Sequence, residues 1–122
     1  MLLDTYAWVE FFNGTEKGRT VKRFLDEREC FTPAIVLAEL SEWIENSHLD
    51  RKKIMETVLV SSFILNAEQD TLEAAGILKV KKRQSVKGFG LIDAIILATA
   101  LQYNLTIVTG DKHFGGEKAI IL

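Results

Sequence analysis

The feature that most constrains this chain is the almost entirely apolar run over residues 91–101, in which only Asp93 and Thr99 are polar. A helix that is apolar on every side belongs inside a domain, and this run is shorter than the roughly 20 apolar residues that span a bilayer. Asp93 is therefore carried into or beside the core. A buried carboxylate costs several kcal/mol unless it is paired, protonated or bound to a metal. The alternative is that Asp93 only begins the helix, where the helix dipole favours an acid.

Length and composition predict one domain over residues 1–122 with a substantial core. Hydrophobic residues make up 48% of the chain, which excludes disorder, and a net charge of −2 argues against a strongly basic nucleic-acid coat. The single cysteine, Cys30, permits no intrachain disulfide and fits a reducing, cytoplasmic location. The first residues show neither a basic segment nor a long apolar one, so we expect no secretory signal and no membrane association.

Short apolar runs alternate with helical patterns along the chain, which predicts an α/β/α sandwich around a mainly parallel sheet. The predicted strands are residues 1–3, 30–32, 60–65, 105–108 and 119–122. The predicted helices are residues 6–12, 15–28, 33–44, 50–59, 68–80 and 91–101. Thr32 is expected to cap the third helix, with Pro33 in its first turn. In the helix over 68–80, Leu72, Ala75, Ile77 and Leu78 are expected to face the core.

Three further acids occupy positions comparable with that of Asp93. Asp4 and Asp111 each follow a predicted strand, and Glu39 interrupts the apolar first part of a predicted helix. In parallel α/β sheets the carboxyl ends of the strands meet at one edge, where ligands bind, so we expect all four acids to share a crevice. For Asp4, a helix cap alone is an equally good interpretation.

Four carboxylates in one cleft repel and raise one another's pKa values, and a hard divalent cation relieves that repulsion. Ligation by oxygen alone suits Mg²⁺ or Mn²⁺ rather than zinc, and the sequence offers no Cys/His ligand set. Both His48 and His113 are interpreted as solvated. Since Mg²⁺ favours phosphate oxygens, the chemistry indicated is phosphodiester hydrolysis with one metal ion or two.

A basic segment precedes the Asp93 helix, with Lys81, Lys82 and Arg83 at its centre. It is predicted to be a loop. Such a segment is usually a solvated face, but its position beside the expected site makes contact with an RNA backbone an equal alternative.

Four motifs together resemble the acidic motifs of PIN domains, most closely those of VapC-type toxins of toxin–antitoxin pairs. They are residues 2–5 (Leu-Leu-Asp-Thr), 34–40 (Ala-Ile-Val-Leu-Ala-Glu-Leu), 93–100 (Asp-Ala-Ile-Ile-Leu-Ala-Thr-Ala) and 108–114 (Val-Thr-Gly-Asp-Lys-His-Phe). The resemblance covers the whole chain and implies an endoribonuclease that uses Mg²⁺ or Mn²⁺. It implies metal and catalytic roles for Asp4, Glu39, Asp93 and Asp111, with Thr109 supporting the last acid. It also implies a homodimer that is inhibited by a small antitoxin protein.

The sequence departs from the family pattern at two places. Tyr6 stands where the family often has Ser or Asn, and no Ser precedes Asp93. These departures keep a second hypothesis open, a PIN scaffold that binds RNA or a partner protein without cleaving. A phosphotransferase with Asp4 as covalent nucleophile is less well supported, because haloacid-dehalogenase-type enzymes need a second Asp at position 6 and receiver domains need an Asp after the third strand.

Overall fold

A five-stranded parallel sheet forms the centre of the computed structural model, which describes all of residues 1–122. In chain order the strands are β1 (Leu2–Leu3), β2 (Phe31–Pro33), β3 (Phe63–Leu65), β4 (Ile107–Thr109) and β5 (Ala119–Ile121). The helices are α1 (Thr5–Asn13), α2 (Glu16–Glu27), α3 (Ala34–Ser47), α4 (Arg51–Ser61), α5 (Gln69–Arg83) and α6 (Leu91–Tyr103), with a 3₁₀ turn at Lys112–Phe114. This architecture confirms the predicted three-layer α/β fold.

The strand order β3-β2-β1-β4-β5 creates the crevice in which the site lies. The chain leaves β1 toward β2 and β3, then returns to place β4 on the other side of β1. The register pairs Leu2 with both Phe31 and Ile107. In open parallel sheets this reversal point, at the carboxyl ends of the strands, is where ligands bind.

The third helix begins differently from the sequence prediction. Thr32 does not cap α3, because its buried hydroxyl accepts from Trp8 Nε1 at 3.0 Å and bonds to Ser62 Oγ at 2.7 Å. Pro33 occupies the cap position, with no side-chain hydrogen bond to the helix. Thr32 instead ties β2 to α1 and to the start of β3, so its polar atom is satisfied inside the core.

Three other expectations from the sequence are wrong. Val60 and Ser61 end α4 rather than begin a strand, and Val60 is 86% exposed. Residues 81–83 form the last turn of α5 rather than a loop. Leu72 and Ile77 are exposed on α5, whereas Ala75 is buried and Leu78 is partly buried as expected, and Thr71 also faces the core. In each case the pattern of residue types was recognised, but the secondary structure or the burial inferred from that pattern was wrong.

The core is built around α6 and α1. Six residues of α6 are buried: Ala94, Ile96, Leu97, Ala98, Thr99 and Ala100. Trp8 of α1 is fully buried, stacks on Phe12 with ring centroids 5.8 Å apart, and meets Phe11 edge to face. Core packing is therefore the role of Trp8. None of the helices is both long and apolar enough to cross a membrane.

Candidate metal centre

The four acids singled out from the sequence line one cleft of about 540 Å³ at the carboxyl ends of β1 and β4. Alongside Asp4, Glu39, Asp93 and Asp111, the cleft is lined by Thr5, Tyr6, Val9, Trp43, Ile96 and Gly110. No Lys or Arg is among these ten residues. The parallel topology thus assembles the acids from four separate segments into a cleft that lacks a compensating positive charge.

Two of the acids sit where strands end. Asp4 follows β1 and caps α1, where Oδ1 accepts from the Ala7 amide at 2.9 Å. Asp111 follows β4 and caps the 3₁₀ turn, where Oδ1 accepts from the His113 amide at 2.8 Å. Asp4 is therefore a helix cap and a lining residue of the cleft at the same time, so the two interpretations left open by the sequence do not exclude each other.

The other two acids sit on helices. Asp93 is the third residue of α6, and its Oδ2 accepts from the Gly90 amide at 3.0 Å. Glu39 lies in the second turn of α3 and accepts from the Thr5 hydroxyl at 2.5 Å. The carboxylates of Asp93 and Glu39 therefore each accept one oriented hydrogen bond, which holds the side chain in place and leaves other oxygen lone pairs for a ligand.

Thr109 lies behind the two strand-end acids. It is fully buried, and its Oγ1 accepts from the Asp111 amide at 2.9 Å. Its hydroxyl also hydrogen-bonds the Asp4 carboxyl and lowers the pKa of that group. A single hydroxyl at the end of β4 thus contacts both acids.

The sequence predicts a solvated His113, and its side chain is indeed 41% exposed, but it also contacts the acidic cluster. Its Nδ1 lies 2.9 Å from Asp111 Oδ1, and the donor atoms of Asp93, Asp111 and His113 all lie within 4.8 Å of one another. The available signal was the spacing Asp-x-His after a strand, which lets a capping acid turn back onto the ring. Asp4 and Glu39 lie outside this closest group.

Burial dominates the electrostatics of Asp4, which is 5% exposed. Desolvation raises the pKa of Asp4 to about 6, and the charges of Asp111 and Glu39 add to the increase, against hydrogen bonds from Thr109 and Ala7. A carboxylate that is buried beside like charges is the environment that a divalent cation relieves. The donor set is mainly carboxylate oxygen, which fits Mg²⁺ or Mn²⁺.

The raised pKa of Asp4 predicts a pH-dependent stability in the absence of metal. The folded state binds the proton of the Asp4 carboxyl more tightly than the unfolded chain does. The stabilisation of the folded state by this proton is therefore complete below the unfolded pKa and is lost as pH rises through the folded pKa. We expect the stability advantage of Asp4→Asn over wild type to grow by roughly 3 kcal/mol between about pH 4 and pH 7. Urea denaturation of both proteins in EDTA across this range measures it. A pH-independent difference would contradict the prediction.

Tyr6 occupies the mouth of the cleft and is partly exposed. Its ring lies against Gly110, where an added Cβ would come within 2.0 Å of Tyr6 Cε1. Lys17 of α2 donates to Tyr6 Oη at 3.0 Å, and its Nζ lies 5.3 Å from the ring centroid. The hydrogen bond with the phenol raises the pKa of the Lys17 ammonium. Sequence reasoning identified Tyr6 as a departure but did not connect it with Lys17.

The basic segment does not line the cleft. Lys82 pairs with Glu117 at 2.8 Å and lies over the Phe89 ring, so its charge is already compensated. Lys81 and Arg83 remain exposed at the end of α5. Of the three basic residues singled out from the sequence, two are free to contact a ligand.

Comparison with known proteins shows what this arrangement is similar to. The family model described as "PIN domain" matches residues 1–116. No curated protein sequence matches the chain significantly. Among solved structures, a toxin–antitoxin complex from Klebsiella pneumoniae is similar at 28% identity with a TM-score of 0.75, covering 98% of this chain and 94% of that chain.

Two further solved structures share the fold at lower identity. VapBC2 from Rickettsia felis, bound to a promoter DNA fragment, is 19% identical with a TM-score of 0.74, covering 99% of this chain and 96% of that chain. VapC20 from Mycobacterium tuberculosis, a sarcin–ricin loop cleaving toxin, is 18% identical with a TM-score of 0.71, covering 96% of this chain and 91% of that chain.

Proposed function

This chain belongs to the PIN domain family, and on that premise we propose that it is an endoribonuclease that uses Mg²⁺ or Mn²⁺ to hydrolyse RNA phosphodiester bonds. The observation that carries the proposal is the convergence of four carboxylates in a cleft without Lys or Arg. The raised pKa of Asp4 supports it, since that carboxyl lies buried among like charges. Such a cluster is unfavourable for the apo protein and favourable for a cation.

In this proposal Asp4, Glu39, Asp93 and Asp111 hold the metal, whether one ion or two. A bound Mg²⁺ or Mn²⁺ supplies Lewis acidity toward a phosphoryl oxygen and lowers the pKa of water. The protein's own contribution is orientation.

The hydrogen bonds in the cleft provide that orientation. The Thr109 hydroxyl contacts Asp4 and accepts from the Asp111 amide, Thr5 holds Glu39, and the Gly90 amide holds Asp93. Fixed ligand orientation of this kind governs metal affinity and activity.

The test is cleavage of a fluorescent single-stranded RNA by the purified protein in Mn²⁺, Mg²⁺ or EDTA. We expect cutting with either metal and none in EDTA.

The second hypothesis, a non-cleaving scaffold, draws on Tyr6, whose ring packs into the cleft mouth at a position where the family often has a small polar residue. Measurable Mn²⁺ binding without cleavage of any RNA tested would favour the scaffold, and absence of both would contradict the metal site itself.

We further propose that the protein is the toxin of a toxin–antitoxin pair, with an antitoxin protein as partner. The support is the similarity at 28% identity to a toxin–antitoxin complex over nearly the full length of both chains. RNA is the proposed substrate. Lys81 and Arg83 are proposed to contact its backbone, while Lys82 is engaged by Glu117.

A second copy of this chain is the other proposed partner. Large apolar side chains are exposed on α5 and α6: Leu72, Ile77, Val80, Leu91 and Leu101. Of these, Ile77 and Leu101 line a groove between the two helices together with Leu78 and Ala98. An exposed apolar groove of this kind marks an interaction site. Sedimentation velocity is expected to show a dimer for the wild type and a monomer for Leu101→Glu, and an unchanged dimer in the variant would place the interface elsewhere.

A further inference from the structure

The acidic cleft poses an electrostatic problem for the proposed RNA substrate, which is a polyanion. Four carboxylates and no Lys or Arg line the cleft. Metal ions compensate the charge at the cleaved phosphate, but the neighbouring phosphates of the strand also approach this negative surface. A cation at the rim is the direct physical remedy, because backbone affinity for nucleic acid comes mainly from Lys and Arg contacts.

Tyr6 lines the cleft, and its ring packs against Gly110 in the loop that carries Asp111. The space for its ring exists only because residue 110 is glycine, since a Cβ there would come within 2.0 to 2.4 Å of three ring atoms. The φ angle of Gly110 is not positive, so space rather than backbone conformation requires the glycine. The tyrosine, which is the second residue of α1, thereby packs its ring onto the loop that carries Asp111.

Lys17 is held in turn by Tyr6. Its Nζ donates to Tyr6 Oη at 3.0 Å, and this is its only hydrogen bond to another side chain. No carboxylate lies within ion-pair distance of Lys17, whereas Lys22 on the same helix pairs with Asp26 at 2.6 Å. Lys17 is therefore held outside any ion pair by a neutral partner that itself lines the cleft, although the nearby charge of Glu10 also acts on it and raises its pKa.

From this geometry we propose that Lys17 binds a backbone phosphate of the RNA next to the cleaved bond, and that Tyr6 is the positioning residue that aims its ammonium group. The inference rests on the proposed ribonuclease function. A phenol hydroxyl orients the ammonium group and leaves its positive charge intact, whereas a carboxylate partner would neutralise that charge. Gly110 completes the arrangement by admitting the ring.

The competing explanation is structural, in which Lys17 and Tyr6 merely connect α2 to α1. The two explanations predict different measurements. A phosphate contact changes RNA affinity and its salt dependence, because each neutralised phosphate of a single strand contributes about 0.7 to the slope of log K against log salt. A structural tie changes only the stability of the folded protein.

The experiment measures binding of a labelled single-stranded RNA over a series of KCl concentrations in Mn²⁺, using the Asp93→Asn background to prevent cutting. Lys17→Gln is expected to weaken binding roughly 3- to 10-fold and to reduce the salt slope by about 0.7. Tyr6→Phe keeps both charge and ring, so it is expected to weaken binding less and leave the slope nearly unchanged. Lys17→Arg is expected to restore most of the slope. Lys22→Gln is the matched control and is expected to change neither quantity.

Steady-state cleavage by the otherwise wild-type protein gives a second measure. Lys17→Gln is expected to raise KM with little change in kcat, since the contact is made equally before and during the reaction. A salt slope and KM equal to those of Lys22→Gln would overturn the inference while leaving the nuclease intact. A lowered Tm with unchanged KM and slope would do the same. A flattened slope in a protein that cleaves no RNA would support the contact and reject the nuclease.

Discussion

Asp93→Asn is expected to lose metal-dependent RNA cleavage by at least about 100-fold while folding as the wild type does. Loss of even an outer partner of a metal ligand typically costs 10- to 100-fold, so loss of a ligand charge is expected to reach the upper end of this range or exceed it. The amide is nearly isosteric with the carboxylate, and its oxygen still accepts from the Gly90 amide that Asp93 Oδ2 contacts at 3.0 Å. The start of α6 is therefore preserved.

The measurement is cleavage rate in Mn²⁺ together with Mn²⁺ affinity by calorimetry. Glu42→Gln is the matched control, because Glu42 follows Glu39 by one turn of α3 but is exposed and does not line the cleft. It removes the same charge and is expected to leave cleavage unchanged. Full activity in a folded Asp93→Asn protein would reject Asp93 as a ligand, and equal losses in both variants would indicate a general charge effect.

Gly18→Ala is expected to destabilise the fold by about 3 kcal/mol, at the upper end of the usual cost of overpacking. Gly18 is buried in the first turn of α2, where an added Cβ would lie 2.0 Å from the Glu10 carbonyl oxygen and 2.6 Å from its carbon. These are backbone atoms of α1, so no flexible side chain can move aside. Since α1 carries the buried Trp8 and follows directly from β1, the helix cannot shift without disturbing the core.

Gly76→Ala is the control, because it is expected to change the free energy of unfolding in the opposite direction. Gly76 lies inside α5, and a Cβ there would meet nothing within 4 Å. Replacement of a helical glycine by alanine without a clash stabilises by roughly 0.5–1 kcal/mol through helix propensity. Urea denaturation compares the midpoints of the two variants with the wild type. A Gly18→Ala protein as stable as the wild type would show that α1 and α2 are not packed as closely as described.

The sequence alone was sufficient for the features that depend on local pattern. The alternation of apolar runs with helical periods predicted the parallel α/β sheet, because such runs bury themselves only in that layered arrangement. Asp93 is an isolated acid within an apolar run, and the prediction of an acidic cleft started from this residue. Asp4 and Asp111 followed from their positions after strands, since the carboxyl ends of parallel strands share one edge.

Element boundaries and exposure depended on tertiary contacts. The residue type of Thr32 predicts a helix N-cap, but its hydroxyl is hydrogen-bonded to Trp8 and Ser62 instead. Val60 is strand-like by propensity, yet it continues α4 because β3 pairs with β2 only from Phe63 onward. Propensity is a weak local preference, and packing against distant residues overrides it.

The chemistry of the site divides in the same way. The acidic residue types and their order are given by the sequence, and the proposed divalent-cation chemistry follows from these residue types. The tertiary structure alone decided which other side chains lie near them: His113 contacts Asp111, and Tyr6 packs on Gly110 and accepts from Lys17. These contacts depend on ångström-scale distances between segments, and neither spacing nor composition encodes such distances without the folded chain.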